Sequence, residues 1–162
     1  TGELGVCFAT TGPGATNMIT GVAAAYHNRN PVLAITAQTR LETFGRGAMQ
    51  ESSDTAVNTV GMFQYCTHYN SLVSHPKQLA PKLTAALLRA FREPRGAVHL
   101  SIPLDQMRAP QDRVALPQIS GLLTEPELLD SHGTAALVKD IEEARKVGSV
   151  TGARPCACPA PL

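Results

Sequence analysis

Short unbroken apolar runs alternate along this chain with stretches in which apolar side chains return every third or fourth residue, the pattern of strands and helices taking turns. The run VCFAT, residues 6–10, is one such strand and PVLAITA, residues 31–37, another; their continuity predicts burial on two faces of a parallel sheet. Between them Met18, Val22 and Tyr26 recur at four-residue spacing with Ile19 and Ala23 beside them, which gives a helix one apolar stripe. A strand, helix, strand unit of this kind makes a right-handed parallel crossover.

Neither period is sustained through TRLETFGRGAMQESSD, residues 39–54. Irregular chain of that length inside a compact domain is often functional. The sequence DTAVNTVGMF then predicts a short helical turn, THYNSLV a strand, and SHPKQLAPKL the start of a helix, with Ser74 as its cap and Pro81 suited to the first helical position. Leu83, Leu87, Ala90 and Phe91 form the buried stripe of that helix, EPRG ends it, and AVHLSIP is the last clear strand, with Val98, Leu100 and Ile102 on one face. The fold class is α/β with a parallel sheet.

After LDQMRAP the texture changes. Residues 109–126 carry Pro110, Pro117 and Pro126 with little periodicity and read as a linker. Residues 127–162 read as the start of a second domain. A helix is expected around Ala136, Ile141 and Ala144, and a strand at VGSVTG; the tail with Pro155, Pro159 and Pro161 suits neither element. The chain is therefore expected to stop, or to be interrupted, just inside that domain.

Charge and composition narrow the partners. The 162 residues hold 14 basic and 13 acidic side chains, scattered along the chain, so neither nucleic acid nor an anionic membrane is an expected partner. No apolar run approaches bilayer length and the N-terminus has no leader pattern, so a cytoplasmic location is expected. Of the four cysteines, Cys7 and Cys66 lie in or beside apolar strands as small hydrophobes, and the Cys156 and Cys158 pair lacks the second ligand pair of a zinc site. The five histidines show no metal-ligand spacing: His27 ends a helix, His68 and His99 fall in strands, and His75 and His132 are exposed. No metal site is expected in the chain.

The chemistry concentrates in TTGPGATN, residues 10–17, between the first strand and the first helix. A glycine-rich turn at a helix N-terminus is a generic anion site, because the first helical N–H groups are unpaired. The dinucleotide fingerprint fits Gly12 and Gly14 but has Asn17 where its third glycine belongs, and no Gly-Lys-Ser or Gly-Lys-Thr comes after it. Taken alone, the motif is a turn that is able to touch a ligand.

The ordered series TGELG, VCFAT, GPGATN, PVLAITAQ, GAMQE, THYNSLV and LLRAFREPRGAVHLSIPLD resembles the pyrimidine-binding domain of thiamine-diphosphate-dependent enzymes of the acetolactate synthase type. The likeness covers about two thirds of the chain and fades after about residue 109. It implies a doubly wound parallel sheet with helices on both faces, the thiamine-diphosphate-binding fold. Residues 1–108 would then be a pyrimidine-binding domain lacking its first strand and helix.

In the family the diphosphate and its Mg2+ are held by another domain, and this loop lies beside the aminopyrimidine ring at a subunit interface. The resemblance thus implies thiamine diphosphate as cofactor, leaves FAD open, and implies a homodimer or tetramer through this domain. Gly12, Pro13, Gly14 and Asn17 become the cofactor residues: Pro13 presses an apolar edge against the ring, and Asn17 hydrogen-bonds within the loop or across the interface. Gln50 faces the substrate side, where an amide donates to a carboxylate or developing alkoxide, with Met49 beside it. Glu51 is a loop residue in this frame.

Met49 stands where the biosynthetic acetolactate synthases often have an aromatic, and Leu104 where several have a lysine. These departures argue against acetolactate synthesis specifically and leave the broader family intact. The acid that hydrogen-bonds the pyrimidine N1′ in the family lies upstream of Thr1, so no catalytic residue is expected in this chain. The implied function is thiamine diphosphate binding within a decarboxylase or carboligase acting on small 2-keto acids such as pyruvate, with the chain alone inactive. The alternative is a non-catalytic binding or dimerisation module of the same fold.

Overall fold

The computed structural model describes residues 3–110 and Lys139. Residues 3–110 belong to one of the two units into which the chain divides, Gly2–Leu123. The expected linker beyond Pro110 and the expected second domain lie outside the described residues.

The elements run β1 (Gly5–Ala9), α1 (Pro13–His27), β2 (Val32–Gln38), α2 (Thr59–Phe63), β3 (Tyr69–Leu72), α3 (Leu79–Phe91), β4 (Ala97–Pro103) and α4 (Leu104–Arg108). The four strands are parallel in the order β1-β2-β4-β3. β4 enters between β2 and β3, so the direction of winding reverses after β3. With right-handed connections that reversal sends α3 to the face opposite α1 and α2. The packing agrees. Leu33, Val98 and Leu100 meet Ala86, Leu87 and Ala90 of α3, while Ala34 and Ala97 meet Ala15 and Val22 of α1 and Phe63 of α2. This is the expected doubly wound sheet with helices on both faces.

The period-four stripe of α1 is real, with Val22 buried and Met18, Ile19, Ala23 and Tyr26 packed around the same cluster. The helix begins at Pro13, whose fixed φ and missing N–H suit a first position. α3 carries its stripe as expected, with Leu83 and Phe91 against the core formed by Leu87 and Ala90. Its start differs. A tight turn over Pro76–Gln78 precedes it, capped by His75, whose Nδ1 accepts from the Lys77 amide at 3.1 Å. Ser74 instead binds Gln78, and Pro81 is the third residue of the helix. His68 lies just outside β3; its ring packs on Tyr26 at 4.7 Å.

β1 is the larger departure. Its apolar composition predicts burial on both faces, yet Val6 is 50% and Phe8 73% exposed. Only the side of Cys7 is covered, by Met18 of α1. Among the described residues β1 is at the edge of the sheet with β2 as its partner, and α3 packs on β2, β4 and β3. Residue type alone does not report which neighbour covers a strand.

Where His99 stands in β4, the α1 and α2 face turns polar. The ring is fully buried and stacks on Phe63 at 4.1 Å. The Asn70 amide nitrogen donates to Val60 O, which turns Asn70 Oδ1 toward His99 Nδ1 at 2.7 Å. An amide oxygen only accepts, so Nδ1 carries the proton and Nε2 accepts from the Thr36 hydroxyl at 2.9 Å. Burial disfavours the imidazolium and lowers the pKa from 6.5 to about 3.

Because the folded-state pKa lies below the unfolded one, the stability contributed by neutral His99 is fully present above pH 6.5 and is lost as pH falls toward 3. Urea unfolding should show stability declining between pH 7 and pH 4 by on the order of 2–3 kcal/mol from this group. His99→Gln should flatten that decline. Parallel slopes in the two proteins would show that the histidine is not its source.

Candidate functional site

The C-terminal ends of β1 and β2 lie side by side, with Ala9 opposite Thr36 and Gln38 two residues further on. In open α/β sheets this is the edge at which ligands bind. The chain leaves β1 through residues 10–12 into α1, and leaves β2 through the irregular segment that ends in Gln50, Glu51 and Ser52. The two loops meet.

Their meeting is made of hydrogen bonds to one serine. Gly12 N–H donates to Ser52 Oγ at 2.8 Å, and that hydroxyl donates to Gln50 O at 3.1 Å. The Ser52 amide in turn donates to Gln38 Oε1 at 3.0 Å. Thr11 Oγ1 donates to Gln50 Oε1 at 3.3 Å. With the carbonyl end of the Gln50 amide facing Thr11, its Nε2 is the end left to donate outward.

Sequence reasoning singled out Gly12, Pro13, Gly14, Asn17, Met49 and Gln50, and the fold brings Gly12 and Gln50 into contact. Gly12 has φ +57°, and a Cβ there would sit 3.0 Å from Gln50 Cβ. A Cβ on Gly14 would come within 2.6 Å of Thr10 Cγ2. Both glycines are therefore demanded by close approach within the chain itself. Pro13 and Asn17 are exposed, and Met49 is 85% exposed. The side-chain amide of Asn17, on the first turns of α1, makes no hydrogen bond with any of the described residues.

The turn is poorly equipped as an anion cradle. The Gly12 amide is taken by Ser52, Pro13 has no N–H, and the Gly14 amide reaches Thr11 O at 3.3 Å. What remains exposed is Pro13 and Asn17 on the first turns of α1, and Met49 and Gln50 in the loop that meets Thr11 and Gly12. That set fits the face of a neutral heterocycle better than a phosphate.

Glu51 is buried and accepts from the amides of Gly45 at 2.6 Å and Gly47 at 3.2 Å, and from the hydroxyls of Ser53 and Thr55. The Ser53 and Gly45 bonds lead in lowering its pKa, while burial opposes them. An ionised carboxylate fully engaged as an acceptor shapes its own loop and is not poised to exchange a proton. Burial raises the Cys7 and Cys66 thiols, consistent with inert small hydrophobes. Among the described residues no group of three His, Cys, Asp or Glu side chains has a metal-binding arrangement, and no helix is long and apolar enough to cross a membrane.

Two residues that sequence reasoning passed over, Gln38 and Ser52, hold the site together. The available signal was faint: a glutamine closing an otherwise apolar strand, where its amide needs buried partners.

Residues 1–57 match the family model of the thiamine pyrophosphate enzyme N-terminal TPP binding domain. The probable acetolactate synthase large subunit of Methanocaldococcus jannaschii is 38% identical over 64% of this chain and 17% of its own length. The acetolactate synthase isozyme 2 large subunit of Escherichia coli is 39% identical over 69% of this chain and 20% of its own length. The chain thus spans about one fifth of these relatives. Benzoylformate decarboxylase from Polynucleobacter necessarius, at 20% identity and a TM-score of 0.62, covers 70% of this chain and 21% of its own and shares the fold.

Gly12→Ala should lower stability by about 1–3 kcal/mol in urea unfolding, through the strained φ and the displaced Gln50. Gly21→Ala is the control: that glycine lies on α1 with open space around its Cβ position, and the change should stabilise by about 0.4–1 kcal/mol. Equal effects at the two positions would contradict the close packing at Gly12.

Proposed function

We propose, for a chain that belongs through residues 1–57 to the N-terminal TPP binding domain of thiamine pyrophosphate enzymes of the acetolactate synthase-like type, that its Gly12–Pro13–Gly14 turn supplies the pyrimidine-side wall of a thiamine diphosphate site in a 2-keto acid decarboxylase or carboligase. The observation that carries this reading is the turn itself. Its amides are engaged within the chain while Pro13 is exposed and the two residues before it, Thr11 and Gly12, meet Gln50.

Thiamine diphosphate, when bound, supplies the electron sink for breaking the bond to a 2-keto carboxylate. The residues of this chain bind and orient. Pro13 presents an apolar edge to the ring, and the Asn17 amide serves the loop's far side or a partner subunit in a homodimer or tetramer. Gln50 Nε2–H donates to the carboxylate or developing alkoxide of the substrate, and Met49 limits the space beside it. Glu51 is held as an acceptor within its own loop, and in this reading the general acid comes from outside the described residues. In this reading Mg2+ and the diphosphate are likewise held elsewhere.

Titrating the 15N-labelled chain with thiamine diphosphate should shift the amide resonances of Gly12, Gly14, Asn17 and Gln50 and leave α3 and β3 unmoved. The same sample with pyruvate and Mg2+ should release carbon dioxide no faster than cofactor alone. Shifts confined to other elements, or a rate above that control, would overturn the assignment.

In the holoenzyme, Gln50→Ala should reduce kcat/KM for the 2-keto acid by about 100-fold, the low end for a lost oxyanion donor. The cofactor dissociation constant should hardly change. Loss of cofactor affinity at an unchanged rate would put this glutamine on the wrong side of the site.

A further inference from the structure

Ser52 is 1% exposed, and each of its polar groups is bound to a different part of the fold. Its amide donates to Gln38 at the end of β2, its hydroxyl accepts from Gly12 and donates to Gln50 O, and its carbonyl accepts from the Thr59 amide at the start of α2 at 3.3 Å. Serine has two donors and two acceptor oxygens, and all are engaged. Glu51 also makes several bonds, but all of them stay inside its own loop.

Two residues on either side of the Ser52 hydroxyl hold positive φ, Gly12 at +57° and Gln50 at +59°. For Gln50 that conformation is uncommon and persists only where surrounding structure over-determines it. The hydroxyl binds the amide of one and the carbonyl of the other. Moving it would release both, and with them the Thr11 contact that turns the Gln50 amide.

We propose that Ser52 is the positioning residue of this site, setting the gap between the Gly12–Pro13–Gly14 turn and the Gln50 amide, and hence between a ring resting on the turn and a substrate group reached by Gln50. The last step rests on the thiamine diphosphate reading. The first does not. Ser52 touches neither ligand and acts through Gly12 and Gln50.

The test uses the full 15N-labelled chain and reads amide hydrogen exchange at Gly12 and at Leu100 in β4, the Gln50 side-chain NH2 resonances, and the thiamine diphosphate titration. In Ser52→Ala, Gly12 exchange should accelerate about tenfold or more, as expected for a lost buried acceptor. Leu100 should keep its protection, and the Gln50 NH2 pair should move toward the shifts of free glutamine. Ser52→Cys, which keeps a weak acceptor in the same place, should restore part of the Gly12 protection. Thr11→Val, a change at the surface of the turn, should move the Gln50 NH2 pair while sparing Gly12. The dissociation constant for thiamine diphosphate should rise several-fold in Ser52→Ala.

Unchanged Gly12 exchange in Ser52→Ala would overturn the proposal. So would joint loss of protection at Gly12 and Leu100, which makes Ser52 a residue of general stability, or unaltered cofactor affinity in a variant whose Gly12 amide is released. If the unmodified chain shows no thiamine diphosphate shifts at all, the cofactor reading fails, and the exchange data still decide whether Ser52 sets the spacing.

Discussion

A buried amide side chain at the end of a strand cannot be hydrated, so chain must be brought to it. Gln38 Oε1 accepts from Thr39 N at 2.9 Å, where the backbone leaves β2, and from Ser52 N at 3.0 Å, where it comes back. That one oxygen pins the return of a segment with neither helix nor strand periodicity to the sheet. Everything at the candidate site is then fixed relative to β2. Ser52 stands on Gln38, Gly12 hangs from Ser52, and α1 starts from Gly12.

The two faces of the sheet divide the labour. Against α3 the strands present Leu33, Val98 and Leu100, an apolar layer that supplies burial and little else. Toward α1 and α2 the buried positions include Thr36, Gln38, Thr59 and His99 together with Ser52 and Ser53. Buried polar groups fix geometry because each must find a partner in a set direction. The Val60, Asn70, His99, Thr36 chain shows this: one backbone carbonyl orients an amide, which fixes a tautomer, which fixes a hydroxyl. Rigidity is thus concentrated on the face and at the end of the sheet where the two loops meet.

The sequence was most legible where burial depends on a repeating pattern. The α1 stripe through Met18, Val22 and Tyr26, the β4 face of Val98, Leu100 and Ile102, and the α3 stripe through Leu87 all rest on residue spacing, which is visible in one dimension. β1 reads as doubly buried because Val6, Cys7 and Phe8 are apolar, and its exposure depends on which element lies beside it. Ser74 and His75 compete for one cap, and adjacent residues with similar acceptors are not separable without backbone angles. Gln50 was singled out only through family likeness. Ser52 and Gln38 were not legible, since their partners lie far away in sequence and a serine carries no period.

The segment from Thr39 to Glu51 leaves one oxygen atom and returns to it. Such a closed excursion separates the length of the loop from the position of the chain beyond it: residues added along its exposed middle, around Arg46, lengthen the path while Ser52 keeps its bond to Gln38, and the entropic cost of a longer loop grows only with the logarithm of its length. Variation in loop length is thereby permitted at the tip and penalised at the neck. A protein built this way can exchange the outer part of the loop while Ser52, and the Gly12 amide bound to it, stay where they were.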